Sequence, residues 1–237
     1  MNGSEVSGNP AFIQGNGTSS RGKILIVTAV DAEREAVLRG LGPTDEYDVI
    51  AGGVGPAAAA ASSAAALAAA AGEYKLVVSA GIGGGFPGRA EIGDIVVSTG
   101  IVAADLGAET PDGARFLSVD ELGFGSARVN VDEAVAFRLV DALQTAGMRA
   151  IAGQALTVST ATGSAEQAAR LAARVPNAAS EGMEGYGVAV AAKLAGVPAL
   201  ELRAISNAVG PRDKSAWRIG EALASLTNAC KRLTEVL

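Results

Sequence analysis

Three short segments of this sequence hold polar residues where chemistry could be done: Thr28-Ala29-Val30-Asp31-Ala32-Glu33, Glu181-Gly182-Met183-Glu184-Gly185 and Arg203-Ala204-Ile205-Ser206-Asn207. Each sets a polar side chain at the end of an apolar strand or at the opening of a helix. The chain contains no histidine, which excludes Ser/His/Asp and Cys/His nucleophilic triads and argues against most zinc sites. Any acid or base must then be a carboxylate, a lysine, a tyrosine or water. Plain structural readings stand beside these. Glu33 could be a solvated first-turn residue favoured by the helix dipole, and Met183 a core side chain. Arg203, inside an apolar strand, is costly to bury alone and predicts an ion pair with a carboxylate.

Two glycine-rich stretches could hold a ligand. Gly53-Val54-Gly55-Pro56-Ala57-Ala58 fits the G-x-G-x-x-A dinucleotide fingerprint between a strand and a helix. The acidic residue that should end the next strand is misplaced, because Glu73 has the spacing but precedes the strand beginning near Leu76. The second stretch, Ser79-Ala80-Gly81-Ile82-Gly83-Gly84-Gly85, reads as a loop after an apolar strand, exposing backbone amides to a ligand or simply making a tight turn. Neither is followed by Gly-Lys-Ser/Thr at a helix start, so a P-loop has no support.

The elements that must position these residues follow from pattern. The 237 residues, 49% hydrophobic and 4% aromatic, suit one domain with a large aliphatic core. Residues 1–22 are rich in Gly, Asn and Ser and read as a disordered tail rather than a signal peptide, leaving 23–237 as a single catalytic domain. Strands are expected at Lys23–Val30, Tyr47–Ala51, Leu76–Ala80, Asp94–Val102, Ile151–Thr160 and Pro198–Ser206. Helices are expected at Asp31–Leu41, Pro56–Ala71, Val131–Ala146, Ser164–Arg174, Glu184–Ala195 and Ser215–Leu237. That alternation predicts an α/β fold, a mostly parallel or mixed sheet covered on both faces, with ligands bound in loops after strands.

Composition narrows the partners. The net charge of −6, with scattered Lys and Arg, offers no continuous positive surface to nucleic acid. The alanine-rich run Ala57 to Ala71 is too short and weakly apolar for a membrane span, which needs roughly 20 apolar residues, and reads instead as a helix packed close against a sheet. The lone Cys230 cannot form an internal disulfide and fits a reducing cytoplasm.

Taken with both glycine stretches, the three polar segments resemble the nucleoside phosphorylase and nucleosidase superfamily, especially the methylthioadenosine/S-adenosylhomocysteine nucleosidases, over essentially all of Lys23 to Leu237. The stretch Ser206-Asn207-Ala208-Val209-Gly210-Pro211-Arg212-Asp213, with Trp217-Arg218-Ile219, looks most like the futalosine hydrolases of an alternative menaquinone pathway. The resemblance implies a three-layer nucleoside phosphorylase-like fold, hydrolysis of a purine N-glycosidic bond, no metal or organic cofactor, and a homo-oligomer. It makes Glu33 the base that activates water, Glu184 the holder of the ribose hydroxyls above Met183, and Asn207 the residue facing the purine. It also places Ser79, Ala80, Gly81, Thr162, Ser206, Arg212, Asp213 and Trp217 around the substrate.

Asn207 departs from the aspartate of the adenine-specific relatives. Its amide can donate to the 6-oxygen of hypoxanthine and accept from the N7 proton of the departing base, whereas aspartate suits an exocyclic amine. The benzoate of futalosine would gain from an arginine, and Arg212, Arg115 and Arg218 are the candidates. Proton delivery to N7 would fall to a water or to Asp213. Three other readings remain: a methylthioadenosine/S-adenosylhomocysteine nucleosidase, a 6-oxopurine nucleoside phosphorylase, whose phosphate pocket would need arginines, and a catalytically silent nucleoside-binding protein, which would not need Glu33.

Overall fold

The computed structural model describes residues 22–70 and 72–237; of the tail expected over 1–22, all but Gly22 lies outside the described residues. The chain runs β1 (Lys23–Thr28), α1 (Asp31–Leu41), β2 (Tyr47–Ala51), α2 (Pro56–Ala69), β3 (Tyr74–Gly85), β4 (Ile95–Ala103), β5 (Gly107–Glu109), β6 (Phe116–Ser118) and β7 (Arg128–Asn130). It continues through α3 (Glu133–Thr145), β8 (Ala150–Thr157), α4 (Ala165–Arg174), β9 (Ala178–Gly182), α5 (Gly185–Leu194), β10 (Ala199–Ala208), a 3₁₀ turn (Lys214–Ala216) and α6 (Ile219–Val236).

The main sheet has the order β10-β4-β8-β9-β3-β1-β2, and β10 also pairs with β3, so five of its strands curl into a closed ring. Most pairings are parallel; β10 with β4, β3 with β9 and β4 with β7 are antiparallel. The mixed sheet expected from the βαβ alternation is therefore present.

Period-two alternation sends side chains to opposite layers. Ile24, Ile26, Val78, Ala80, Leu200 and Leu202 pack with Val37 of α1, Leu139 of α3 and Leu226, Cys230 and Leu233 of α6. Leu25, Val27 and Val77 pack with Ala59 and Leu67 of α2 and Val188, Ala189 and Ala192 of α5. Helices on both faces make three layers. Cys230 is one of these core residues, and burial pushes its thiol up to about 12.

The alanine helix packs as closely as its composition implies. A Cβ at Gly187 of α5 would lie 2.1 Å from the Pro56 carbonyl oxygen at the start of α2. Backbone cannot swing aside as a side-chain tip can, so Gly187→Ala is expected to cost about 1–3 kcal/mol, read as a lower urea midpoint at unchanged slope.

Several expectations need correction. The second glycine stretch is not a loop: β3 continues through it to Gly85. Its glycines serve crowding rather than turning, since none of Gly81, Gly83, Gly84 or Gly85 has a positive φ. A Cβ at Gly81 would meet Glu33 Oε1 at 2.5 Å and Arg203 at 2.6 Å, and one at Gly85 would meet the Ala90 carbonyl at 2.3 Å. The last helix does not begin at Ser215; a 3₁₀ turn capped by Asp213 precedes α6. Strands β5, β6, β7 and β9 are short pieces that no apolar run announces. Among the described residues, no helix is long and apolar enough to cross a membrane.

Candidate active site

A cavity of about 190 Å³ opens where β1, β3, β9 and β10 end. Glu33, Met183, Glu184 and Asn207 line it, and so do Thr162, Ser206, Arg212 and Trp217. Three segments far apart in the chain thus converge on one space.

Glu33 is buried, not a solvated first-turn residue. Its Oε2 accepts from the backbone N–H of Ala29 at 2.9 Å and of Val30 at 3.3 Å, while Oε1 accepts from Ile82 N–H at 2.9 Å. The side chain therefore ties the start of α1 to β3. An ionised carboxylate has about four acceptor positions, so one remains for a water in the cavity.

Glu184 stands at the N-cap of α5 and is also buried. Its Oε1 accepts from Gly55 N–H and Oε2 from Met183 N–H, both at 3.2 Å, and the guanidinium of Arg203 forms an ion pair with Oε2 at 3.3 Å. The dinucleotide-like stretch thereby has a structural job: Gly55, at φ 89°, turns its amide onto this carboxylate.

Arg203 is the hub that the sequence only half revealed. It is fully buried and pairs, as its strand position predicted, with a carboxylate: Nε lies 2.8 Å from Glu201 Oε1. It also donates to Ser79 Oγ at 3.0 Å and reaches Glu184. Burial works against its charge, but the carboxylates of Glu201, Glu184 and Glu33 outweigh that and hold the guanidinium protonated. Burial pushes the carboxyl of Glu201 up, against the pull of Arg203.

On the other side of the cavity, Asn207 accepts from the Ser206 hydroxyl at 2.8 Å and donates to the Ala208 carbonyl at 3.0 Å. One amide N–H and one oxygen lone pair stay free. A register irregularity between Ile205 and Asn207 carries Ser206 out of step, which aims Asn207 at the cavity. Arg212 sits over the Trp217 ring, 5.3 Å from its centroid, and both line the space. Of the three arginines considered for an anionic substrate end, only Arg212 does so: Arg218 donates to the Ser215 and Trp217 carbonyls, and Arg115 faces Glu121.

Four expected substrate contacts fall elsewhere. Ser79 is buried against Arg203, Ala80 points into the core and Gly81 lies beneath Glu33 and Arg203. The lining comes instead from Ile82, Gly83 and Gly84, because the strand extends further than its apolar run. Asp213 is exposed and spent on the Ser215 amide and hydroxyl, which lowers its carboxyl below the usual range. It does not line this cavity. Conversely, Glu181, two residues before Met183 and without a role in the sequence pattern, lines the cavity, buried, and Thr162 donates to it through backbone and hydroxyl.

Comparison with known proteins gives the family and the fold. Residues 26–237 match the phosphorylase superfamily. Futalosine hydrolase of Streptomyces coelicolor is 53% identical over 232 residues, covering 90% of this chain and 96% of that protein. Futalosine hydrolase of Acidothermus cellulolyticus is 46% identical over 220 residues, covering 87% and 88%. Among solved structures, futalosine hydrolase of Helicobacter pylori superposes with a TM-score of 0.77 at 17% identity, covering 92% of this chain and 99% of that one, a likeness of fold.

Proposed function

The chain belongs to the phosphorylase superfamily, and within it we propose that it is an N-glycosyl hydrolase that splits futalosine into hypoxanthine and dehypoxanthine futalosine. The observation that carries this reading is the meeting of Glu33, Glu184 and Asn207 in one cavity. The curated relatives at 53% and 46% identity support the same substrate.

Cleaving a glycosidic bond needs an electron-poor sugar, a placed nucleophile and a stabilised leaving base. Glu33 holds water through its free lone pair and takes a proton as that water attacks the anomeric carbon. Glu184, fixed by Gly55, Met183 and Arg203, accepts from the 2′ and 3′ hydroxyls, and its charge favours the cationic sugar of the transition state. The free N–H of Asn207 donates to the 6-oxygen; a solvent water delivers the proton that N7 takes up as the bond to the sugar breaks, and the free lone pair of Asn207 accepts from the resulting N7–H. Arg212, braced on Trp217, takes the benzoate carboxylate.

Water rather than phosphate is the nucleophile on electrostatic grounds. Glu33, Glu181 and Glu184 line the cavity, while Arg203 behind them is already engaged by carboxylates and the one lining arginine, Arg212, stands beside Trp217. A phosphate dianion brought beside Glu33 would meet like charge. The reading carries with it a single catalytic unit over 23–237, acting as a cytoplasmic homo-oligomer in menaquinone biosynthesis.

Incubation with futalosine, inosine and methylthioadenosine, with and without phosphate, tests it by chromatography of the released base. Hypoxanthine should come from futalosine at a rate indifferent to phosphate. Phosphate-dependent release from inosine, or faster release of adenine from methylthioadenosine, would overturn the assignment.

A further inference from the structure

Glu181 is a buried carboxylate in the cavity that the hydrolysis above does not use. Its position is set by register: Gly84 of β3 pairs with Asn207 of β10 on one side and with Glu181 of β9 on the other. Residues directly opposite one another share a face of the sheet, so Asn207, Gly84 and Glu181 form a row across three strands. Neighbouring strands run about 4.8 Å apart, which sets the outer two roughly 10 Å apart. The central position of the row carries no side chain. A Cβ there would already lie 3.4 Å from the Asn207 amide nitrogen and 2.8 Å from Val209, so the glycine keeps a flat floor between two polar walls.

The hydrogen bonds around Glu181 leave it an acceptor. Thr162 donates its backbone N–H to Oε1 at 2.9 Å and its hydroxyl to Oε2. Each oxygen keeps a second lone pair. The partners orient the carboxylate without consuming it, and both residues line the cavity.

We propose that Glu181 is a specificity residue that accepts the N1–H of a 6-oxopurine, so that Asn207 and Glu181 hold adjacent edges of one base. The inference rests on the nucleoside hydrolase reading of the same site and deepens it. A 6-oxopurine presents a donor at N1 and acceptors at O6 and N7. A 6-aminopurine presents a lone pair at N1, which would face the Glu181 carboxylate acceptor to acceptor, inside a site where an unmatched polar group is expensive. Asn207 alone discriminates at the 6-substituent; Glu181 adds a second test one ring atom away.

Two measurements on the full chain decide the matter. Calorimetry of the unaltered protein with hypoxanthine and with 1-methylhypoxanthine should show at least tenfold weaker binding of the methylated base, which has no N1–H. Glu181→Gln should narrow that gap, and in turnover should reduce the kcat/KM preference for futalosine over its 6-amino counterpart at least tenfold, chiefly by loss on the 6-oxo substrate. Equal binding of the two bases, or an equal fall on both nucleosides in the variant, would reduce Glu181 to a staple for Thr162 and sink the proposal. The base-binding arm needs neither the variant nor turnover. A protein that discriminates the two bases yet releases nothing from futalosine would instead refute the hydrolase assignment.

Discussion

Glu33→Gln is expected to lower kcat for futalosine hydrolysis by about a hundred- to ten-thousand-fold, the span of general acid–base contributions, while hypoxanthine still binds. The base lies at the opposite wall, at Asn207, so its affinity should survive loss of the proton acceptor. The substitution also disturbs hydrogen bonding. The carboxylate accepts from three backbone amides, two on Oε2 and one on Oε1, and a glutamine must turn its NH₂ towards one of them. That mismatch costs about 1–3 kcal/mol of stability, so thermal denaturation must accompany the kinetics to show that the variant is folded at the assay temperature. A folded, base-binding, inactive variant is the outcome expected of an enzyme. Undiminished turnover would remove Glu33 from the mechanism, and a protein inactive before mutation would fit a silent nucleoside binder.

How much of this was legible in the sequence depends on what each residue answers to. Glu33 and Asn207 stand where apolar strands stop and Glu184 where a helix opens, and the resemblance to the nucleosidases turned these positions into roles. The second glycine stretch misled for a physical reason. Glycine signals turns through its freedom at positive φ, yet here extended glycines make room for Arg203, Glu33 and the backbones of β9 and Ala90. Reading them as a loop ended β3 early and shifted the expected lining from Ile82–Gly84 back to Ser79–Gly81. Glu181 was hidden in Ala178–Gly182, a strand with no β-branched or aromatic residue, and its meaning lies in pairing with Gly84, a neighbour 97 positions away by the numbering of that pair. Arg203 declared that it must be paired, but its strand-mate Glu201 and the more distant Glu184 are brought to it only by the folded sheet and α5.

That pairing predicts the second large effect. Arg203→Met should destabilise the protein by about 3–5 kcal/mol, because removing one member of a buried ion pair leaves the other's charge uncompensated. Here it strands Glu201, fully buried, and removes the counter-charge beside Glu184. One oxygen of Glu201 is already without a hydrogen-bond partner and pressed towards Gly185, where a Cβ would lie 1.9 Å away, so the site cannot relax around a lone carboxylate. Its folded-state carboxyl is already raised by burial despite Arg203, and losing the guanidinium raises it further. A group raised in the folded state contributes stability that is complete below its unfolded value and lost as pH climbs through its folded value. The deficit of Arg203→Met should therefore be largest at neutral pH and shrink on acidification towards the ordinary glutamate range near about 4.3, as read from urea midpoints across that interval. Adding Glu201→Gln should remove that pH dependence and recover part of the stability while leaving turnover impaired, since Glu184 would still lack the arginine that orients it towards the sugar. If the single variant were as stable as the parent at neutral pH, Arg203 would not be what holds the buried carboxylates together.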